Sequence, residues 1–163
     1  MTAIRKYRDD DWQTIWPILR TTFDAGDTYA FAPGGSEHDV RAAWIDAPAA
    51  TFVACGDDGS VIGTYYVKPN QPGLGAHVCN CGYVVAADAQ GRGIAAAMCE
   101  HSQREARAMG FRAMQFNLVV ATNERAIRLW KRLGFGIAGT LPGAFKHARL
   151  GYVDALVMYK TLI

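Results

Sequence analysis

Gly91 and Gly93 stand between an apolar run, Tyr83-Val84-Val85, and a helical pattern that extends from about Ile94 to Met109. Within Gln90-Gly91-Arg92-Gly93-Ile94-Ala95 the chain has to leave a strand region and enter a helix in a few residues. Glycine permits this because it reaches positive φ without a Cβ clash. Such a turn also makes an anion site. The first N–H groups of a helix have no partner within the chain, and the helix dipole favours negative charge there. A phosphate-bearing small molecule is therefore the implied ligand of residues 90–95. A further strand pattern, Ala113 to Val120, follows the helix, which makes the strand–helix–strand unit parallel with a right-handed crossover.

The other segments fall around this unit. Ala3 to Tyr7 reads as a short first strand. Asp10 to Thr22 reads as a helix, with Asp10 and Asp11 suited to its cap and first turn and Trp12, Ile15, Trp16, Ile18 and Leu19 on its apolar face. Pro17 in the second turn predicts a kink or an adjusted start. Asp24 to Gly35 is a loop, and a second helix runs from about Glu37 to Ile45. Thr51 to Cys55 and Val61 to Val67 form a hairpin around Gly56-Asp57-Asp58-Gly59-Ser60. After a loop at Pro69 to Gly75 comes a fourth strand, Ala76 to Val85, interrupted by Gly82. Asn123 to Leu133 is a helix with Ala126, Ile127, Trp130 and Leu133 on one face, stopped by Gly134. Phe135 to Phe145 and Tyr152 to Tyr159 are the last strands. The order β-α-α-β-β-β-α-β-α-β-β predicts an α/β (α+β) fold with a mixed, mostly antiparallel sheet and flanking helices, in one domain over 1–163.

Composition removes several function classes. A formal net charge of +2 over 163 residues, with no Lys/Arg run, argues against nucleic acid. No apolar stretch approaches a membrane span, and Met1 to Asp10 is charged without a signal-peptide core, so the expected location is cytoplasmic. Cys55, Cys79, Cys81 and Cys99 are too sparse for a disulfide scaffold. His77, Cys79 and Cys81 alternate on one strand face, but alternate residues stand roughly 7 Å apart. Zinc ligands must come within about 4 Å of one another, so no metal is expected and buried free thiols are the preferred reading.

Gly91-Arg92-Gly93-Ile94-Ala95-Ala96 also matches a dinucleotide-binding pattern. That pattern needs the first glycine directly after a strand and an acidic residue ending the next one. Here Ala86 to Gln90 intervene, and the next strand ends in Val119-Val120-Ala121-Thr122. A plain tight turn without a ligand is the other reading. Gln90-x-x-Gly93-x-Ala95 instead resembles the Q/R-x-x-G-x-G/A signature of the GNAT family of N-acetyltransferases. Asn123, Ala126-Ile127, Trp130 and Gly134-Phe135 resemble the family's second signature, an Asn-led helix ending in Gly-Phe.

The resemblance covers essentially the whole chain and implies acetyl-CoA as co-substrate. It implies that strands four and five splay apart. Gln90, Gly91, Arg92, Gly93, Ile94 and Ala95 would hold the pyrophosphate, and Tyr83, Val84 and Val85 would pair with the pantetheine amides. A nearby backbone N–H, assigned to Val84, would stabilise the oxyanion. Asn123 would bond the pantetheine arm, although asparagine also suits an N-cap. Arg92, Lys131 and Arg132 are candidates for the coenzyme phosphates, or simply a solvated face.

One position departs from the family pattern. Its usual tyrosine, able to protonate the leaving thiolate, is Trp130 here, and indole cannot act as a general acid. Trp130 is read as an aromatic wall for the acceptor, or as core packing. Asn80 and Asn117 occupy interior strand positions that disfavour asparagine. They line the expected cleft for an acceptor carboxylate, or are satisfied by backbone and water. Together with Asn123, Trp130 and the ending Leu141-Pro142-Gly143-Ala144-Phe145 … Tyr152 to Met158, they resemble the branch containing fungal acetyltransferases of L-azetidine-2-carboxylate and related proline analogues.

The general base is open among Asp24, Glu37, Asp154, His77 and a water relay. The expected function is transfer of acetyl from acetyl-CoA to a small-molecule amine, an amino acid or cyclic imino acid, by direct attack. The alternatives are a non-catalytic acyl-CoA-binding or sensing module, and an acetyltransferase for a protein N-terminus or polyamine. Antiparallel terminal strands leave a homodimer open.

Overall fold

The computed structural model describes residues 2–163; Met1, the first residue of the expected domain and of the charged N-terminal stretch, lies outside the described residues. Seven strands build one sheet: β1 (Ala3–Lys6), β2 (Ala50–Cys55), β3 (Val61–Pro69), β4 (Val78–Val85), β5 (Ala113–Val120), β6 (Gly136–His147) and β7 (Gly151–Thr161). Their spatial order is β1-β2-β3-β4-β5-β7-β6. Only β4 and β5 pair in parallel; every other neighbouring pair is antiparallel. The mixed, mostly antiparallel sheet and the predicted element order are therefore both present. No helix among the described residues is long and apolar enough to cross a membrane.

Helices cover both faces: α1 (Trp12–Ala25) and α2 (Glu37–Arg41) on one, α3 (Ile94–Ala108) and α4 (Glu124–Arg132) on the other. Strand alternation sorts the side chains between two cores. Val53, Cys55, Tyr66 and Val84 pack with Trp12, Ile15, Leu19 and Phe23 of α1. Phe52, Tyr65, Cys81, Tyr83 and Phe116 pack with Ile94, Met98 and Cys99 of α3 and Trp130 of α4.

Several boundaries differ from the sequence reading for physical reasons. α1 begins at Trp12, after a 3-10 turn at Asp9–Asp11. Asp11 does not cap it. Its carboxylate instead accepts two bonds from the Arg5 guanidinium, each 2.8 Å, and one from the Arg8 amide at 2.8 Å. The helix runs on through Pro17 to Ala25 and stops at Gly26, whose φ of 65° is left-handed. α2 continues into a π turn, Ala42–Asp46, that carries the fully buried Trp44. Gly82 does not interrupt β4, which is continuous from Val78 to Val85. A Cβ there would stand 2.8 Å from the Tyr66 ring, so the glycine lets that ring lie across the strand.

The Arg5 guanidinium, bonded to the nearly buried Asp11 carboxylate, holds that carboxyl below the usual range. A depressed carboxyl stabilises the fold above its ordinary titration range, and that stability is lost as pH falls through the lowered folded value. Asp11→Asn should therefore cost about 1–3 kcal/mol at neutral pH. The difference from wild type should shrink below about pH 4 in denaturant titrations. A difference that stays constant down to about pH 2 would place the effect outside the ion pair.

Candidate active site

β4 and β5 register at only two positions, Val78 with Ala113 and Cys79 with Met114. Beyond Cys79 the strands part. At the fork Asn80, 7 % exposed, spans the gap: its Nδ2 donates to the Gln115 carbonyl at 3.0 Å, and its Oδ1 accepts from the Tyr66 hydroxyl at 3.0 Å. A cavity of about 850 Å³ opens from there to the N-terminus of α3. Tyr83, Val84, Val85, Gln90, Gly91, Gly93, Ile94, Ala95, Asn80, Asn117, Asn123 and Trp130 all line it. Arg92 does not; its guanidinium donates to the Asp88 carbonyl at 3.0 Å.

Gly91 and Gly93 adopt φ of 81° and 77°, conformations that other residues rarely take. Nothing lies within 4 Å of a Cβ built at Gly93. The first intrahelical bond of α3 is from the Ala97 amide to the Gly93 carbonyl, at 3.0 Å. The amides of the first turn before it have no helical acceptor, and Gly93 supplies no capping side chain. On α4, Arg125, Arg128 and Arg132 also line the cavity. Their i, i+3, i+7 spacing puts them on one helix face.

Strand parity decides which β4 amides face the opening. The Asn70 amide donates to the Val78 carbonyl at 2.8 Å, and the Ala86 amide donates to the Ile62 carbonyl at 2.9 Å. Even-numbered residues of β4 therefore bond to β3, and odd-numbered ones face the fork. This corrects the assignment of Val84 as oxyanion donor: its amide points at β3 opposite Thr64, and its side chain packs with the α1 core. Tyr83 and Val85 present the cleft-facing amides.

Tyr29, from the loop after α1, already meets Tyr83. Its hydroxyl accepts the Tyr83 N–H at 2.6 Å and donates to the Tyr83 carbonyl at 2.7 Å. Phe23 and Trp44 pack edge-on against its ring, and burial pushes its phenol well above the ordinary range, so it stays protonated.

Trp130, 9 % exposed, lies 5.3 Å from the Tyr83 ring and 5.1 Å from Phe116, measured between centroids. It is packed against these rings and also lines the cavity. Asn123 caps α4 by accepting the Ala126 amide at 3.2 Å, and the residue lines the cavity. Asn117 is exposed; it donates to Asn70 Oδ1 at 2.7 Å and accepts from Gln115 Nε2 at 3.0 Å.

The base candidates are not brought to the cleft. Asp24 accepts the Gly34 amide, Glu37 the Trp12 indole and Asp154 the Gly143 amide, and none of these three nor His77 lines the cavity. No aspartate, glutamate or histidine does among the described residues. The four cysteines are buried and free, and burial holds the Cys81 thiol well above its ordinary range. No group of three or more His, Cys, Asp or Glu able to hold a metal occurs among the described residues.

Residues 10–135 match the family model of the acetyltransferase (GNAT) family. The chain belongs to the GNAT family. A GCN5-related N-acetyltransferase from Kribbella flavida is 42% identical, superimposes with a TM-score of 0.93, and the alignment covers 98% of this chain and 97% of that one. The N-acetyltransferase aca1 of Schizosaccharomyces pombe is 40% identical over 99 residues, 60% of this chain and 47% of the relative. The chain thus spans about half the length of that fungal relative. A phosphinothricin acetyltransferase from Sinorhizobium meliloti, in complex with acetyl-CoA, shares the GNAT fold at 22% identity and a TM-score of 0.84, over 98% of this chain and 88% of that one.

Tyr29, Lys68 and Tyr66 line the site and carried no signal in the GNAT signatures. Tyr29 sits in a loop without periodicity. Lys68 becomes notable only once the β3–β4 register sets it opposite Asn80. Tyr29→Phe should keep the aromatic packing but strip two backbone groups of their partner. Thermal unfolding should show a loss of about 1–3 kcal/mol; unchanged stability would mean that the hydroxyl does not hold the loop on β4.

Proposed function

We propose that this chain is a single acetyltransferase domain that moves acetyl from acetyl-CoA to the amine of a compact amino or imino acid. The fork between β4 and β5, ending at the glycine turn before α3, carries this reading. A β4 edge whose alternate backbone groups face the fork takes an amide-bearing arm as it would take an added strand. Val85 supplies the N–H and C=O for the pantetheine arm. The open first turn of α3 at Gly93-Ile94-Ala95 takes the pyrophosphate, with the α4 arginines beside it.

Tyr83 N–H then lies beside the thioester carbonyl. The Tyr29 hydroxyl oxygen, which accepts that N–H, marks the place of the carbonyl oxygen and gives way to it. The acceptor nitrogen forms the new C–N bond, Tyr83 N–H stabilises the oxyanion, and cleavage of the C–S bond releases the thiolate, which takes up a proton. Since no aspartate, glutamate or histidine among the described residues lines the cavity, water removes the ammonium proton before attack. Trp130 closes the aromatic side of the site without donating a proton.

Gly93→Ala separates the coenzyme site from the fold. A methyl group there has space, so the protein should remain folded with a strain cost of about 1–2 kcal/mol from the positive φ. Calorimetric affinity for coenzyme A should fall by at least about ten-fold, because the methyl group stands where backbone must approach phosphate. A folded variant that binds coenzyme A as wild type does would overturn the assignment. Thiol release from acetyl-CoA across a panel of amines then separates an enzyme from a binding module.

A further inference from the structure

On the acceptor side of the fork the sheet carries a platform built from three residues. Tyr66 pairs with Gly82 across the β3–β4 register, and because Gly82 has no Cβ the Tyr66 ring lies over β4. Trp44 supports that ring edge-on at 4.8 Å, and the Tyr66 hydroxyl is fixed on Asn80. Lys68, two residues further along β3 and opposite Asn80, leans back so that its Nζ stands 5.0 Å from the Tyr66 ring centroid. Its ammonium thereby stands at the ring that crosses Gly82, the neighbour of Tyr83.

Among the described residues this lysine has no anionic partner in an ion pair. The cavity that it lines holds no carboxylate side chain among the described residues. The other cations of the cavity, Arg125, Arg128 and Arg132, sit on α4. The facing groups on this side are neutral: the Tyr66 and Tyr29 phenols, both raised by burial, and the Asn80 amide. Asn80 has two amide hydrogens and uses one on Gln115, so one donor is left beside Lys68. A half-buried cation on an aromatic ring gains only modestly from the ring. A carboxylate brought into the same partly desolvated space adds a stronger attraction.

We infer that Lys68 is the specificity-determining residue for the acceptor, pairing with a carboxylate that the substrate carries beside its amine, with Asn80 donating a second bond. This rests on the acetyltransferase reading above and adds to it a charge requirement. The substrates are amines that carry a negative group. A polyamine would meet like charge at Lys68 and no carboxylate elsewhere in the cavity.

The test compares each acid with its own amide. α-Amino acids, proline and azetidine-2-carboxylate are assayed against their carboxamides and against spermidine, for wild type and for Lys68→Met, which keeps the apolar stem on Tyr66. Wild type should favour the acids, and Lys68→Met should lower the acid-to-amide ratio of kcat/KM by about ten- to a hundred-fold, chiefly through KM. Lys68→Arg should recover part of it. Retention of the wild-type ratio by Lys68→Met would overturn the role of Lys68. A wild type that prefers amides or spermidine would overturn the charge requirement. Calorimetry of the acids into protein saturated with coenzyme A gives an independent reading. Lys68-dependent binding without thiol release would leave this inference standing while the transferase reading failed, and no binding of any acid would overturn it.

Discussion

Past Cys79 the two central strands separate, and each backbone N–H and C=O on the exposed edges needs a partner, because a buried polar group left alone is costly. The surrounding structure answers that constraint. Asn80 bridges the fork with its side chain. β5 takes its other edge from β7, with a register irregularity between Phe116 and Val119 where Asn117 lies. The loop after α1 sends the Tyr29 hydroxyl onto the Tyr83 amide and carbonyl. What remains open is a slot of backbone groups that ends at the helix start of α3.

The slot is divided by chemistry. Toward α4 it carries three arginines and an aromatic wall of Tyr83, Phe116 and Trp130. Toward α1 it carries phenols, an amide and the unpaired ammonium of Lys68. Both halves favour anions and, among the described residues, neither supplies a carboxylate. That distribution is the basis of the proposal that a coenzyme phosphate lies at one end and an acceptor carboxylate at the other.

The glycine turn, the order of elements along the chain and the parallel crossover were legible in the sequence because local chemistry determines them. Gly91 and Gly93 need positive φ, and hydrophobic period separates strand from helix. What failed were features set by partners that lie outside the local pattern. Asp11 reads as a cap until Arg5 is found beside it. Gly82 reads as a break until Tyr66 lies over it. Val84 reads as the cleft-facing amide until the β3 register turns it inward, since a one-residue slip exchanges the two sides of a strand. Asn80 stands out in the sequence as an asparagine inside a strand, but its bridging of β4 and β5 requires the fork itself. Tyr29 and Lys68 were invisible, because neither belongs to a periodic pattern and both gain meaning only across the sheet.

Residue-resolved hydrogen exchange of the β4 amides, with and without saturating coenzyme A, tests most directly whether the fork receives the coenzyme arm. The Val85 amide faces the opening and should gain protection on binding. Val84, bonded into the β3 ladder in either state, should exchange equally slowly in both. Protection that appears elsewhere while Val85 exchanges as fast as in the free protein would contradict the account.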